Sequence, residues 1–261
     1  GSVVYADETV VQVLKEDGKT PQSDSRMWVY CSDIRSGKAI RIFEYQPDRT
    51  GERPKRFLSS FKGYLVTDGY TAYNAVENVT RCGCWAHMRR AWRDAMPKGA
   101  TTQNSKAAVG YNYCNKLFAL EKKWKTQTNA ERLKSRQCKA EMLVDEYYLW
   151  VRSLDPVIGS KLEDAVNYAL NQEQYLRAFL KNGEVEISNN FAENAIRPFV
   201  IGRKNWLFSD TVKGAKSSAI IYSLIETAKA NGIEPYTYLN LILTNMQYIG
   251  RPFSNEDLES F

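Results

Sequence analysis

Residues 3 to 14 (VVYADETVVQVL) and 26 to 31 (RMWVYC) are runs of β-branched and aromatic side chains parted by a polar stretch with Gly18 and Pro21, which predicts two paired strands. A third strand is expected from Ala39 to Tyr45 and a helix around Arg53 to Phe61. Gly63 to Thr67 then reads as a short buried strand ending at Asp68-Gly69, with one more short strand near Thr80 to Cys84. Strands, a helix and further strands make an α/β opening.

From about Trp85 to Leu180 the pattern changes to helical spacing, as in Leu117, Leu120 and Trp124 or Val144, Tyr148 and Val151. Pro156, Gly159 and Asn182-Gly183 punctuate this block, whose plain role is packing. A helix capped by Ser188 is expected next, ended by Pro198 because the residue before a proline resists helical geometry. Beyond it the pattern predicts a strand-like PFVIG, a loop carrying Arg203 to Trp206, a buried WLF strand, and a helix from about Lys213 to Ala230 stopped by Asn231-Gly232. Three segments result: 1–84 and 188–261 as two parts of an α/β core, with 85–187 as a mainly helical insertion.

Composition narrows this picture modestly. With 261 residues, 43% of them hydrophobic, the chain can bury a core. No run approaches the roughly 20 apolar residues of a membrane span, and five scattered cysteines do not resemble a disulfide framework, so a cytoplasmic protein with no membrane partner is expected. Gly1-Ser2 stands where a native start carries Met, so further sequence upstream is expected. The net charge of +6 suits a polyanion without specifying one. Its distribution says more: Arg81, Arg89, Arg90, Arg93 and Lys98 form one cluster, and Arg197, Arg203, Lys204, Lys213 and Lys216 another.

Three acids stand out against this background. Asp7 interrupts an apolar strand, where a carboxylate needs solvent, a cation or a substrate. Asp68 closes a strand, the place where ligands gather in open α/β sheets. Glu193 lies with Asn190, Asn194 and Arg197 on the polar face of a helix whose other side offers Phe191, Ala195 and Ile196. Two hard divalent ions about 3.5–4 Å apart call for such oxygen ligands, with Mg2+ (or Mn2+) the expected pair.

In their local contexts these residues resemble the transposases of the insertion-sequence-66 family, which belong to bacterial mobile elements. The landmarks are ADET at 6–9, TDGYTAY at 67–73, CWAHMRRAW at 84–92, NNFAENAIRP at 189–198, GRKNWLF at 202–208 and TAKANGIEPYTYL at 227–239. The resemblance implies a ribonuclease-H-like mixed sheet with a large all-helical insertion, and Asp7, Asp68 and Glu193 as a DDE triad holding two metal ions. It further implies an N-terminal region in full-length relatives, with a zinc-binding module, that recognises element ends. DNA (element ends and target) and a second copy on paired ends are the implied partners, with no small-molecule substrate. Ser188 and Asn194 depart from the family's habit of an acid and an arginine at those places.

For DNA contacts the expected residues are Arg89, Arg90, Arg197, Arg203 and Lys204 on phosphates, with Trp206 either stacking on a base or anchoring the core. Cys84, His87 and Asn190 are accessory candidates. His87, the only histidine, follows Cys84 by three residues, with Cys82 just before. A structural zinc there lacks a fourth ligand, a satisfied structural histidine is the plain reading, and the wider DDE group carries a similar Cys-x-x-His element near its active site. The rival functions are a ribonuclease-H-like nuclease or resolvase without joining activity, and a domesticated DNA-binding protein.

Overall fold

A computed structural model describes residues 2–33, 35, 38–97 and 105–246; Lys98 and the last residues of the third segment lie outside them. The strands are β1 (Val3–Lys15), β2 (Asp24–Cys31), β3 (Arg41–Gln46), β4 (Gly63–Val66), β5 (Val79–Cys82) and β6 (Ser209–Thr211). They form a mixed six-stranded sheet in the order β3-β2-β1-β4-β5, with β6 pairing to β1 off that path. The helices are α1 (Glu52–Phe57), α2 (Trp85–Asp94), α3 (Lys106–Lys123), α4 (Asn129–Ser135), α5 (Glu141–Arg152), α6 (Lys161–Leu176), α7 (Asn190–Trp206), α8 (Val212–Ala230) and α9 (Pro235–Met246). The chain divides into two units, Gly1–Asp7 with Arg49–Glu193, and Glu8–Asp48 with Asn194–Phe261.

In the first unit, the start of β1 pairs in parallel with β4 (Val3↔Tyr64, Val4↔Leu65, Tyr5↔Val66), and β4 pairs in parallel with β5 (Gly63↔Val79 to Val66↔Cys82). Helices α2, α3, α5 and α6 pack around Trp85, Trp92, Tyr147 and Tyr148, all at most 1% exposed. Buried indoles need acceptors: Trp92 Nε1 donates to the Tyr147 hydroxyl at 2.9 Å and Trp85 Nε1 to the Leu176 carbonyl at 2.9 Å. Gly110 lets α3 approach closely, since a Cβ there would sit 2.4 Å from the Trp92 ring. Ser105, Thr128 and Ser160 cap α3, α4 and α6, the second as a capping box with Glu131.

In the second unit, β2 and β3 pair antiparallel, from Arg26↔Gln46 to Cys31↔Arg41, and α8 lies against β3, with the Ser223 hydroxyl accepting from the Phe43 N–H at 2.7 Å. Helix α8 ends where expected, at Asn231-Gly232, with Gly232 at φ +72° and the Ile233 N–H returning to the Ala228 carbonyl at 2.9 Å.

Around Pro198 the expectation fails. Rather than ending, α7 runs from Asn190 through Pro198 to Trp206, so PFVIG and the Arg203–Trp206 stretch are helical. An internal proline forfeits a backbone hydrogen bond and costs about 3 kcal/mol. Phe199 offsets this: it is fully buried against Phe43, Tyr222 and Trp206, at ring separations of 6.4, 5.2 and 5.2 Å. WLF is likewise no buried strand, because Trp206 closes the helix, Leu207 turns it off at φ 63°, and Leu207 and Phe208 are exposed. Asn189 rather than Ser188 immediately precedes α7.

Candidate active site

All three acids of the expected triad fall in the first unit. Asp7 lies in β1 two residues beyond its last pair with β4, Tyr5↔Val66, and Asp68 follows the end of β4 by two residues. Both residues are half-buried. Asp68 is fixed from its own turn: one carboxylate oxygen accepts the Tyr70 N–H at 2.9 Å, while its carbonyl accepts from the Thr67 hydroxyl at 2.9 Å and from Arg81 Nη2 at 2.6 Å.

Arg81, on β5, is 7% exposed and joins three pieces of this corner. Besides Asp68 it bonds the Thr67 hydroxyl at 3.1 Å and the Asn74 side-chain carbonyl, and its guanidinium lies 4.4 Å from the centre of the Tyr175 ring. Burial draws its pKa below the ordinary arginine range, opposed by Tyr175 and Asp68.

Glu193 sits in the first turn of α7 on the polar side that periodicity foretold, with Asn190, Asn194 and Arg197 exposed and Ala192, Ala195 and Ile196 buried. The helix start is tied directly to β1. Asn189, 1% exposed, donates from its side-chain nitrogen to the Ala6 carbonyl at 2.8 Å and from its backbone N–H to Cys84 Sγ at 3.2 Å. Its carbonyl in turn accepts the Glu193 N–H at 3.1 Å. The residue that starts the Glu193 helix thus grips the residue next to Asp7.

His87 faces Glu193, with Nδ1 3.7 Å from Oε1, and both atoms are buried without a hydrogen-bond partner among the described residues. Cys84, at the start of α2, completes a group in which one donor atom from each of Cys84, His87 and Glu193 lies within 4.8 Å of the others. Burial pushes the Cys84 thiol up to about 11. Cys82, the other thiol of the sequence-based zinc reading, instead approaches the Thr80 carbonyl at 3.8 Å.

The basic residues are dispersed differently. On α2, Arg89, Arg90 and Arg93 line a hollow of about 210 Å³ with Ala86 and Tyr111; Arg89 bonds the Tyr111 hydroxyl at 2.9 Å, and Arg90 is exposed. In the second unit Arg197, Lys204, Lys213 and Lys216 are exposed, whereas Arg203 is spent on β1, donating to the Thr9 hydroxyl at 3.0 Å and to the Val10 carbonyl. Trp206 is half-buried against Phe199. Asn190 is exposed at the start of α7.

Sequence reasoning missed Asn189 and Arg81 as supports of the site; it held Cys84 and His87 as accessory candidates near the active site without their contact with Glu193. Asn189 stood in the Asn pair before the helix, and Arg81 inside a strand, where a charged residue needs a buried partner. Either oddity was a usable signal.

No helix among the described residues is long and apolar enough to cross a membrane. The uncharacterized protein y4qI of Sinorhizobium fredii (strain NBRC 101917 / NGR234) is 32% identical over 94% of this chain and 48% of its own length. Two further uncharacterized proteins of that strain, y4hP and y4jD, are each 27% identical, over 93% and 92% of this chain and 48% and 49% of theirs. The chain therefore spans about half the length of the curated relatives it matches. No solved structure matches it. The family described as "Transposase IS66 family" matches residues 1–217, and "IS66 C-terminal element" matches residues 223–259. From the first strand almost to its last residue, the chain belongs to the IS66 family of transposases.

Proposed function

We propose that this chain is the catalytic portion of a DDE-type DNA transposase with a ribonuclease-H-like core, in which Asp7, Asp68 and Glu193 form the active site. One observation carries the reading: the Asn189–Ala6 bond ties the residue before the Glu193 helix to the residue before Asp7, in the strand that pairs in parallel with β4, whose end lies two residues ahead of Asp68. All three carboxylates belong to one unit, and in this reading they converge on shared ions.

The donor set fits hard divalent ions, since all three side chains offer oxygen and Glu193 Oε1 is buried without a hydrogen-bond partner among the described residues. Mg2+ or Mn2+ held there supplies activation of a water or DNA 3′-hydroxyl and neutralises charge at the leaving oxygen. The chain's own part is to hold the carboxylates in place. Asp68 is oriented by the Tyr70 N–H and anchored through Arg81, and Glu193 is oriented by the α7 start. Exposed Arg90, Arg197 and Lys204 bind DNA phosphates, an affinity independent of sequence and sensitive to salt. Element ends and target DNA are the substrates, with self-association on paired ends.

Cleavage and strand transfer on element-end DNA test this directly. Full activity in Asp7→Asn or Glu193→Gln would reject the triad. Cutting without joining in the unaltered full-length protein would favour a resolvase-like nuclease, and binding alone a domesticated DNA-binding protein.

A further inference from the structure

The group at Cys84, His87 and Glu193 combines a sulfur, a nitrogen and an oxygen donor, a set unlike that expected of a hard-ion site. Backbone geometry brings it together. Cys84 opens α2 and His87 follows one turn on, with its N–H bonded to the Cys84 carbonyl at 3.1 Å, so both side chains emerge from the same helix start. Glu193 arrives from the first turn of α7, held by Asn189, whose own N–H reaches Cys84 Sγ. His87 Nδ1 and Glu193 Oε1 lack any hydrogen-bond partner among the described residues, and buried polar atoms left so are costly to the fold unless something binds them.

We propose that Cys84 Sγ, His87 Nδ1 and Glu193 Oε1 form a binding site for a borderline transition-metal ion, Zn2+ by its donor set. Three protein ligands with a fourth position left to water is an arrangement Zn2+ commonly takes, and cysteine with histidine disfavours Mg2+. The side chains of His87 and Glu193 are 26% and 25% exposed, while their ligating atoms and Cys84 are buried. The three donor atoms already lie within 4.8 Å of one another, near the spacing of ligands around a tetrahedral zinc. An ion bound here takes Glu193 as a ligand, so Zn2+ competes for that carboxylate with any hard ion bound beside Asp7 and Asp68.

Cobalt is the probe, because Co2+ occupies zinc sites and reports thiolate ligation by charge-transfer absorption. Titrations use the whole chain in a Cys138→Ser background, which removes the exposed thiol. A charge-transfer band that saturates at one Co2+ per chain and is displaced by Zn2+ is expected. His87→Gln and Glu193→Gln should each weaken Co2+ affinity by at least about tenfold, and Cys84→Ser should abolish the band. If the buried Cys84 variant fails to fold, the half-exposed His87 and Glu193 variants still decide, with folding checked by circular dichroism. Absence of a band in the folded protein, or an unchanged band and affinity in both half-exposed variants, overturns the site. Glu193→Gln is read by metal binding here and by DNA cleavage above, so the zinc site and the DDE reading can fail separately.

Discussion

The cluster built on Glu121 and the one built on Glu193 lie in the same unit; the first sets its carboxylate against two arginines, the second against a cysteine and a histidine. Around Glu121 closure is complete. Oε1 accepts from Arg136 Nε at 2.7 Å, and Oε2 from Arg132 Nε at 3.0 Å and Nη2 at 2.5 Å and from Arg136 Nη2 at 2.8 Å. The remaining arginine donors go to Glu186 and to the carbonyls of Phe179, Asn182, Gly183 and Val185, with both arginine side chains at most 2% exposed. Around Glu193 the supports are backbone and amide groups that fix where the chain runs, while carboxylate and imidazole atoms are left over. Saturated charges lock a segment in place; unsaturated ones on a fixed scaffold are available to an ion or substrate.

The largest effect expected from this contrast is at the triad. Asp7→Asn, Asp68→Asn or Glu193→Gln should each lower metal-dependent DNA cleavage by at least about a thousandfold, a loss of roughly 4 kcal/mol in transition-state stabilisation. The melting temperature should hold or rise, since functional carboxylates are kept at some cost to stability. Loss of activity together with loss of fold would place Glu193 in the same class as Glu121.

Next in size is the reverse experiment. Arg136→Met leaves Glu121 with uncompensated buried charge and should destabilise the fold by about 3–5 kcal/mol, measured by denaturant unfolding. Replacing Glu121, Arg132 and Arg136 together by apolar residues of similar volume should recover most of that loss, because desolvation of the ions goes with them. Failure of the triple replacement to recover would mean that the carbonyls of residues 179 to 185 depend on the arginines as donors.

Smaller again is Asn189→Ala. It removes the bond to Ala6 without touching any acid, so it should lower kcat by about a hundredfold with little change in KM, the signature of a misplaced reacting group. A fall in stability with unchanged kcat would reduce Asn189 to a structural link.

These expectations draw on what the sequence revealed and what it hid. Runs of β-branched and aromatic side chains exposed β1 and β2, a short apolar run exposed β4, and Asp7 stood out against the first, because strand-forming side chains cluster locally. Helical spacing gave the polar face of Glu193 correctly. Pro198 misled, since its local preference was overruled by burial of Phe199, a tertiary effect that no local window contains. The meeting of Cys84 and His87 with Glu193 was hidden for a related reason: more than a hundred residues separate them, and α2 and α7 approach only through folding. Motif landmarks carried the family assignment across that gap, whereas the partners of Asn189 and Arg81, unlike their oddity in the sequence, required the fold.

The smallest expected effect extends the contrast to the cations. Arg203, like the Glu121 cluster, is closed on its own fold through Thr9 and Val10, whereas Lys204 beside it and Arg197 one turn beyond Glu193 are exposed. A phosphate-binding cation releases counterions, so Lys204→Ala or Arg197→Ala should flatten the dependence of log affinity on log salt by about 0.9 each on duplex DNA. Affinity at one salt concentration should change modestly and equally for all sequences. Arg203→Ala should instead lower stability, because removing it strips the Val10 carbonyl of a donor, and should leave the salt slope nearly untouched. If Arg203→Ala flattened the slope while Lys204→Ala did not, the distinction between closed and open charges would fail in the second unit, and the guanidinium would have to leave β1 when DNA binds.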